Sequence, residues 1–264
     1  MSVSRRTRSI EAQSRAGRAA GFHRGFFILP HAISERGGGG IDGLRLSVDY
    51  TPGFASEFQL SDDMDLFILA ILIAIGVWVL KSREQRRRIV LLGSALGSYR
   101  IEKLMEDLTQ GYLRCLGEDD PERRAQIWNL LHGTEEALVN QFKQFAAEFA
   151  RIDGSETRVS TLPLAIPFAH KLFPRATFDL RKAFAIHARG IADAASNRQQ
   201  QTPKNKAFTM SAELFLMQHS CHWFCRSKAV ASARMLTRHQ TPYAQLVASV
   251  APETRQAYTA LVAG

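Results

Sequence analysis

The chain has 264 residues, 45% of them hydrophobic, with 34 basic and 25 acidic side chains, a net charge of +9 and three cysteines. Cys115 is remote from Cys221 and Cys225, and those two would sit one helical turn apart, where a bridge forms only with distortion, so the cysteines do not suggest a disulfide framework. A basic excess alone is only an electrostatic footprint, and aromatic residues for base stacking do not interleave with the basic cluster, so nucleic-acid binding is not indicated.

Residues 1–63 contain eight arginines and no lysine, a glycine run at 37–40 and no sustained periodicity. Such a composition buries too little apolar surface to offset ordering and predicts a disordered leader. Residues 1–27, Arg- and Ser-rich with Glu11 as the one acid, also suit an organellar transit peptide. Alternatively translation starts at Met64 and the preceding text is an over-extended gene start.

Residues 66–80 (LFILAILIAIGVWVL) have no charged side chain and are followed at once by Lys81, Arg83, Arg86, Arg87 and Arg88. A helix apolar on every face cannot pack one side on a core and show the other to water. Met64 and Asp65 bring the run to seventeen residues, near the lower limit of a span, with Trp78 placed for the interface and Lys81 and Arg83 able to snorkel. We expect a transmembrane helix over residues 64–81; the alternative is an internal core helix. Between Arg45 and the run the only charges are Asp49, Glu57, Asp62, Asp63 and Asp65, so the positive-inside rule puts the N-terminus outside and the C-terminal domain in the cytoplasm. A bacterial inner membrane is expected, or an organellar membrane if residues 1–27 are a transit peptide. The five basic residues are expected to contact anionic headgroups at roughly 1 kcal/mol each. Small residues four apart, Ala70 with Ala74 and Gly93 with Gly97, form candidate helix self-association faces and hence a route to a homodimer.

The remainder is one domain's worth of chain and reads as an all-α bundle: residues 82–195 as its first part, 196–206 as a linker, and 207–264 as C-terminal helices packing on the same bundle. A helix is predicted from the basic cluster to about Leu116, with Ile101, Leu104, Met105, Leu108 and Tyr112 on one stripe. Asp120-Pro121-Glu122 reads as an N-cap, a proline at the first helical position and a first-turn acid. A 3-4 spacing then runs through Trp128, Leu131, Glu135, Leu138, Phe142, Phe145, Phe149 and Ile152, all apolar except Glu135, as at a bundle seam. Gly133-Thr134 could bend or divide this helix. Pro163, Pro167 and Pro174 make the apolar stretch 162–174 a packed loop with a short turn of helix rather than a second span. Further helices are predicted over about 178–195, with His187 a core histidine, and over about 207–238, with two short helices starting near Pro242 and Pro252. No alternation persists long enough to predict a sheet.

His219, Cys221, His222 and Cys225 are the densest potential ligand set, with Cys221, His222 and Cys225 within about 100° of helical arc. Thiolate and imidazole suit zinc or copper, but a remote Cys115, His132, His170, His187 or His239 would have to complete the site. The order is not that of covalent haem attachment, and a packed helix face with no cofactor is the plainer reading. No phosphate-binding loop, dinucleotide fingerprint, zinc-protease motif or nucleophile elbow is present. Three classes of function remain. The first and preferred is a membrane-anchored helical interaction or scaffold protein with a cytoplasmic protein partner, which predicts an apolar or charged groove. The others are a metal- or haem-binding membrane protein using residues 219–225, and a membrane-associated enzyme with a concave pocket of perturbed titratable groups.

Overall fold

One uninterrupted helix, α1 (Glu57–Leu96), carries the apolar run and continues beyond it into the folded domain. No proline occurs between Pro52 and Pro121, and the residues after Leu80 are mostly good helix formers. Forty residues at 1.5 Å each give a rod of about 60 Å. The computed structural model describes residues 57–263, with side chains from Met64 onward. The leader reading of residues 1–63 therefore lies outside the described residues, apart from the helical backbone at its end. Met64–Leu96 is the one helix among the described residues long and apolar enough to cross a membrane, and none of its most apolar stretch is buried. Trp78 is 67% exposed and Ala70 and Ala74 also face outward.

Below the apolar run α1 becomes part of the bundle. Leu92 is buried, and the Arg226 guanidinium donates to Gln85 Oε1 at 2.7 Å. The sequence predicted one helix from the basic cluster to Leu116; instead the chain turns at residues 97–100 and α2 (Ile101–Leu116) starts anew. Tyr99 N–H returns to the Leu96 carbonyl, Arg100 N–H is taken by Gln141 Oε1 at 2.7 Å, and the Tyr99 ring meets Phe145 edge-on. This turn lets Ile101, Met105, Leu108, Tyr112 and Cys115 fold back against the next helix.

That helix, α3 (Pro121–Phe149), begins as its sequence indicates: Asp120 accepts the Glu122 N–H at 2.9 Å and Pro121 takes the first position. It runs through Gly133 without dividing. Leu131, Leu138, Phe142, Phe145 and Phe149 are buried, and the last three converge on Phe184 with ring centroids 6.1, 5.1 and 4.9 Å away. The polar position in the seam is satisfied internally. Glu135 accepts from Tyr112 Oη and pairs with Lys206 Nζ, each at 2.5 Å.

Contrary to the sequence reading, there is a small sheet. β1 (Arg158–Ser160) and β2 (Thr177–Asp179) pair antiparallel with Val159 opposite Phe178. Strands of three residues are too short to produce a visible alternation. They hold the ends of the proline-rich stretch, which contains one turn of helix, α4 (Ala169–Leu172). Asp179 then caps α5 (Leu180–Ala195), accepting Arg181 N–H at 2.9 Å and Thr157 Oγ1 at 3.0 Å.

The central element is α6 (Pro203–Cys225), capped by Thr202 and buried on all sides over its last turns. The single helix predicted over 207–238 is interrupted at Arg226-Ser227, where Ser227 Oγ accepts Val230 N–H and starts α7 (Lys228–His239). α8 (Tyr243–Ser249) and α9 (Pro252–Ala263) close the domain. The architecture is all-α, and its main core joins residues from α1, α2, α3, α5, α6 and α7, with Trp223 and Phe184 among the fully buried side chains. Each such side chain contributes roughly 1.5–3 kcal/mol of transfer free energy.

Candidate binding cleft at the foot of α1

On α1, Ile89, Leu92, Gly93, Leu96 and Gly97 follow the 3-4 spacing that puts side chains on one helical face. Across from them stand Met217, Cys221, His222 and Cys225 from the last turns of α6. Between the two lies a cleft of about 280 Å³, with Tyr99, Ile101 and Glu102 contributing beyond Gly97 and Arg226 and Arg234 also lining it. Two residue sets singled out separately in the sequence, the glycine pair and three of the four His/Cys positions, therefore share one cavity.

Gly93 leaves its wall open: a Cβ there would meet nothing within 4 Å. At Gly97 a Cβ would touch only the helix's own carbonyls, that of Gly93 at 3.2 Å. Burial pushes the Cys221 thiol well above its usual pKa and that of Cys225 up to about 12, overriding the arginines near Cys225. Burial, reinforced by Arg234 and Arg238, brings His222 down to about 4. Thiols and imidazole are therefore neutral near pH 7. Arg234 donates to His222 Nδ1 at 3.1 Å, and its pKa is lowered by burial and by the adjacent Arg226 and Arg238 charges. The cleft has largely apolar walls and carries both signs of charge, with Arg226 and Arg234 on the α6–α7 side and Glu102 on the α2 side.

His219 does not face this space. Its Nε2 lies 3.1 Å from Ser232 Oγ and its ring stacks on Tyr243 at 4.6 Å. The remote residues considered as additional ligands have neighbours of their own: Cys115 beside Arg124, His132 beside Glu136, His170 beside Glu84, and His239 stacked on Phe215. Among the described residues no group of three His, Cys, Asp or Glu side chains is arranged to hold a metal. Of the five basic residues after the apolar run, Arg83 and Arg86 are exposed and Lys81 is half-buried. Arg87 is exposed but pairs with Glu156, and Arg88 turns inward to Glu84 at 2.8 Å, the Phe224 carbonyl and the Phe224 ring.

A second polar cluster was not visible in the sequence. His187 Nε2 lies 2.9 Å from Ser220 Oγ, which is 3.2 Å from Tyr258 Oη, and nearby Glu213 Oε1 accepts Ala251 N–H at 3.0 Å. The Ser–His pair resembles a nucleophile with its base, but both side chains are completely buried and Ser220 Oγ already donates to the Leu216 carbonyl. Burial holds His187 near pKa 3 and raises Glu213 to about 7. The cluster ties α5, α6 and α9 together. Its one sequence signal was His187 on an apolar helix face, read as a core histidine.

No protein-family model matches this chain, and neither a curated protein nor a solved structure matches it.

Proposed function

We propose that this chain is a membrane-anchored interaction protein, and that the cleft at the foot of α1 receives an apolar segment of a protein partner with acidic flanks. The carrying observation is that the helix bearing the apolar run itself supplies one wall of a largely apolar cleft, where Arg226 and Arg234 outnumber the single acid Glu102. Helix-in-groove recognition places apolar anchors in such a space, and charge at the rim selects partners and register. The acid-only approach and basic exit of the apolar run support an N-terminus outside and a bundle in the cytoplasm, in a bacterial inner membrane or an organellar one. Ala70 and Ala74, both outward-facing, are the proposed pairing face for a homodimer within the bilayer.

Gly93→Leu tests the binding reading, because the new side chain enters the open part of the cleft. A photo-crosslinking residue at position 96 of the full chain should give one discrete protein adduct in cells. Gly93→Leu should abolish that adduct while leaving membrane insertion intact. An adduct of unchanged yield in Gly93→Leu would refute the cleft as the docking site. Separately, a C-terminal reporter active only outside the cytoplasm would refute the orientation.

A further inference from the structure

We propose that residues 162–173 form a second membrane contact, an interfacial loop that dips into the same bilayer the anchor crosses; this rests on reading α1 as a span. The loop is unusually apolar for a segment outside the core. Leu164 is 69% exposed and Leu172 62%, with Ile166, Phe168 and Phe173 also outside. Contiguous exposed apolar side chains on a folded domain mark an interaction surface.

Its position identifies the occupant. Phe168 N–H donates to Glu84 Oε2 at 2.8 Å, so the loop is fastened to α1 four residues beyond Leu80. Four residues correspond to about 6 Å along a helix. The polar layer on each side of the hydrocarbon is about as thick, so this site lies at headgroup depth when the apolar run is inserted. Leu164, Ile166 and Lys81 line one shallow hollow there. A protein partner would have to displace headgroups to reach this patch, whereas lipid already occupies the position.

The charges agree. Lys171 and Arg175 flank the exposed apolar side chains, and Lys81 and Arg83 stand on the neighbouring turn of α1. Of the two acids near this place, Glu84 is occupied by Arg88 and the Phe168 backbone, and Glu156 pairs with Arg87. Apolar side chains rimmed by basic ones suit an anionic interface, into which such segments sink about 5–10 Å. Phe168 sits in the left-handed region (φ 53°), an uncommon backbone for a bulky residue, and its N–H bond to Glu84 holds it there.

The test uses the full-length protein in vesicles of phosphatidylethanolamine and phosphatidylglycerol. A fluorescent amino acid replaces Leu164, Leu172, Leu72 or Leu130 in turn, and quenching is read with lipids spin-labelled near the headgroup or near the chain end. Leu72 lies in the apolar run and Leu130 is exposed on α3, far along the chain from both membrane segments. Quenching at 164 and 172 chiefly by headgroup labels, at 72 chiefly by chain-end labels, and at neither depth for 130 is the expected result. Quenching at 72 with none at 164 and 172 overturns the loop contact while the span stands. No quenching at 72 overturns the span, and the loop proposal with it.

Discussion

Two glycines on helices make opposite demands, and replacing each by alanine tests the packing quantitatively. Alanine is favoured over glycine in a helix interior by about 0.8–1.0 kcal/mol. At Gly93 the added methyl meets nothing within 4 Å, so that preference is expressed nearly in full and Gly93→Ala should stabilise by about 0.5–1 kcal/mol. At Gly190, on α5, the methyl would fall against Glu213 Oε2 and Thr254 Oγ1 and only 2.8 Å from Glu213 Cδ. Overpacking of that kind costs about 1–3 kcal/mol. Moving the Glu213 carboxylate also weakens its bond to Ala251 N–H, and a buried polar group left unsatisfied costs a further 1–3 kcal/mol or so. After the helix preference is subtracted, Gly190→Ala should destabilise by roughly 1–5 kcal/mol. Urea unfolding of the full-length protein in mild detergent, followed by far-ultraviolet circular dichroism, measures both. A midpoint for Gly190→Ala at or above wild type would refute the three-helix packing around Glu213. Equal losses at both glycines would refute the open wall of the cleft.

Acidification should destabilise the fold as pH falls from about 6.5 toward 4, because burial holds His187 and His219 near pKa 3 and His222 and His239 near 4, so below 6.5 only the unfolded chain takes up those protons. Glu213 acts with the opposite sign: its raised pKa adds stability below about 4.5 that is lost as pH rises through about 7. Glu213→Gln should therefore gain on wild type between pH 5 and 8 in matched unfolding titrations, and a difference independent of pH would contradict this. Glu135→Leu should cost about 3–5 kcal/mol by leaving the Lys206 ammonium partly buried without its carboxylate, while Glu135→Leu with Lys206→Met should cost much less than the sum of the singles in a double-mutant cycle. Cys225 should react with iodoacetamide at pH 8 far more slowly than a model thiol, since little thiolate exists with a pKa near 12; rapid labelling measured by intact mass would show that the cleft is wetter than described.

The most legible parts of the sequence were those whose cause is local. Asp120 and Pro121 start α3 through a cap and a fixed φ that involve no distant residue. The Phe142–Phe145–Phe149 spacing indicated a core seam because its helix is long enough to show the period. The turns after Leu96 and Cys225 were missed, since neither place contains proline and residues on both sides suit a helix. There the chain bends because Tyr99 and Ser227 gain tertiary or capping partners. The cleft was hidden for the same reason: Gly93 and Cys221 are 128 positions apart, and no periodicity relates them. Glu213 shows the remaining gap, for its neighbours Gly190 and Thr254 belong to other helices.

The continuity of α1 has a geometric consequence. With no loop between Leu80 and the turn at residues 97–100, the apolar run and the domain share a single angular register. One residue inserted between positions 80 and 84 would swing the bundle about 100° around the helix axis and raise it about 1.5 Å. Seven inserted residues would restore the facing direction to within about 20° while lifting the bundle by about 10 Å. On the proposed reading of α1 as a membrane anchor, partner capture across such an insertion series should therefore oscillate with helical period rather than decline with linker length. A flexible tether could not behave in that way, because a loop erases direction and leaves only reach.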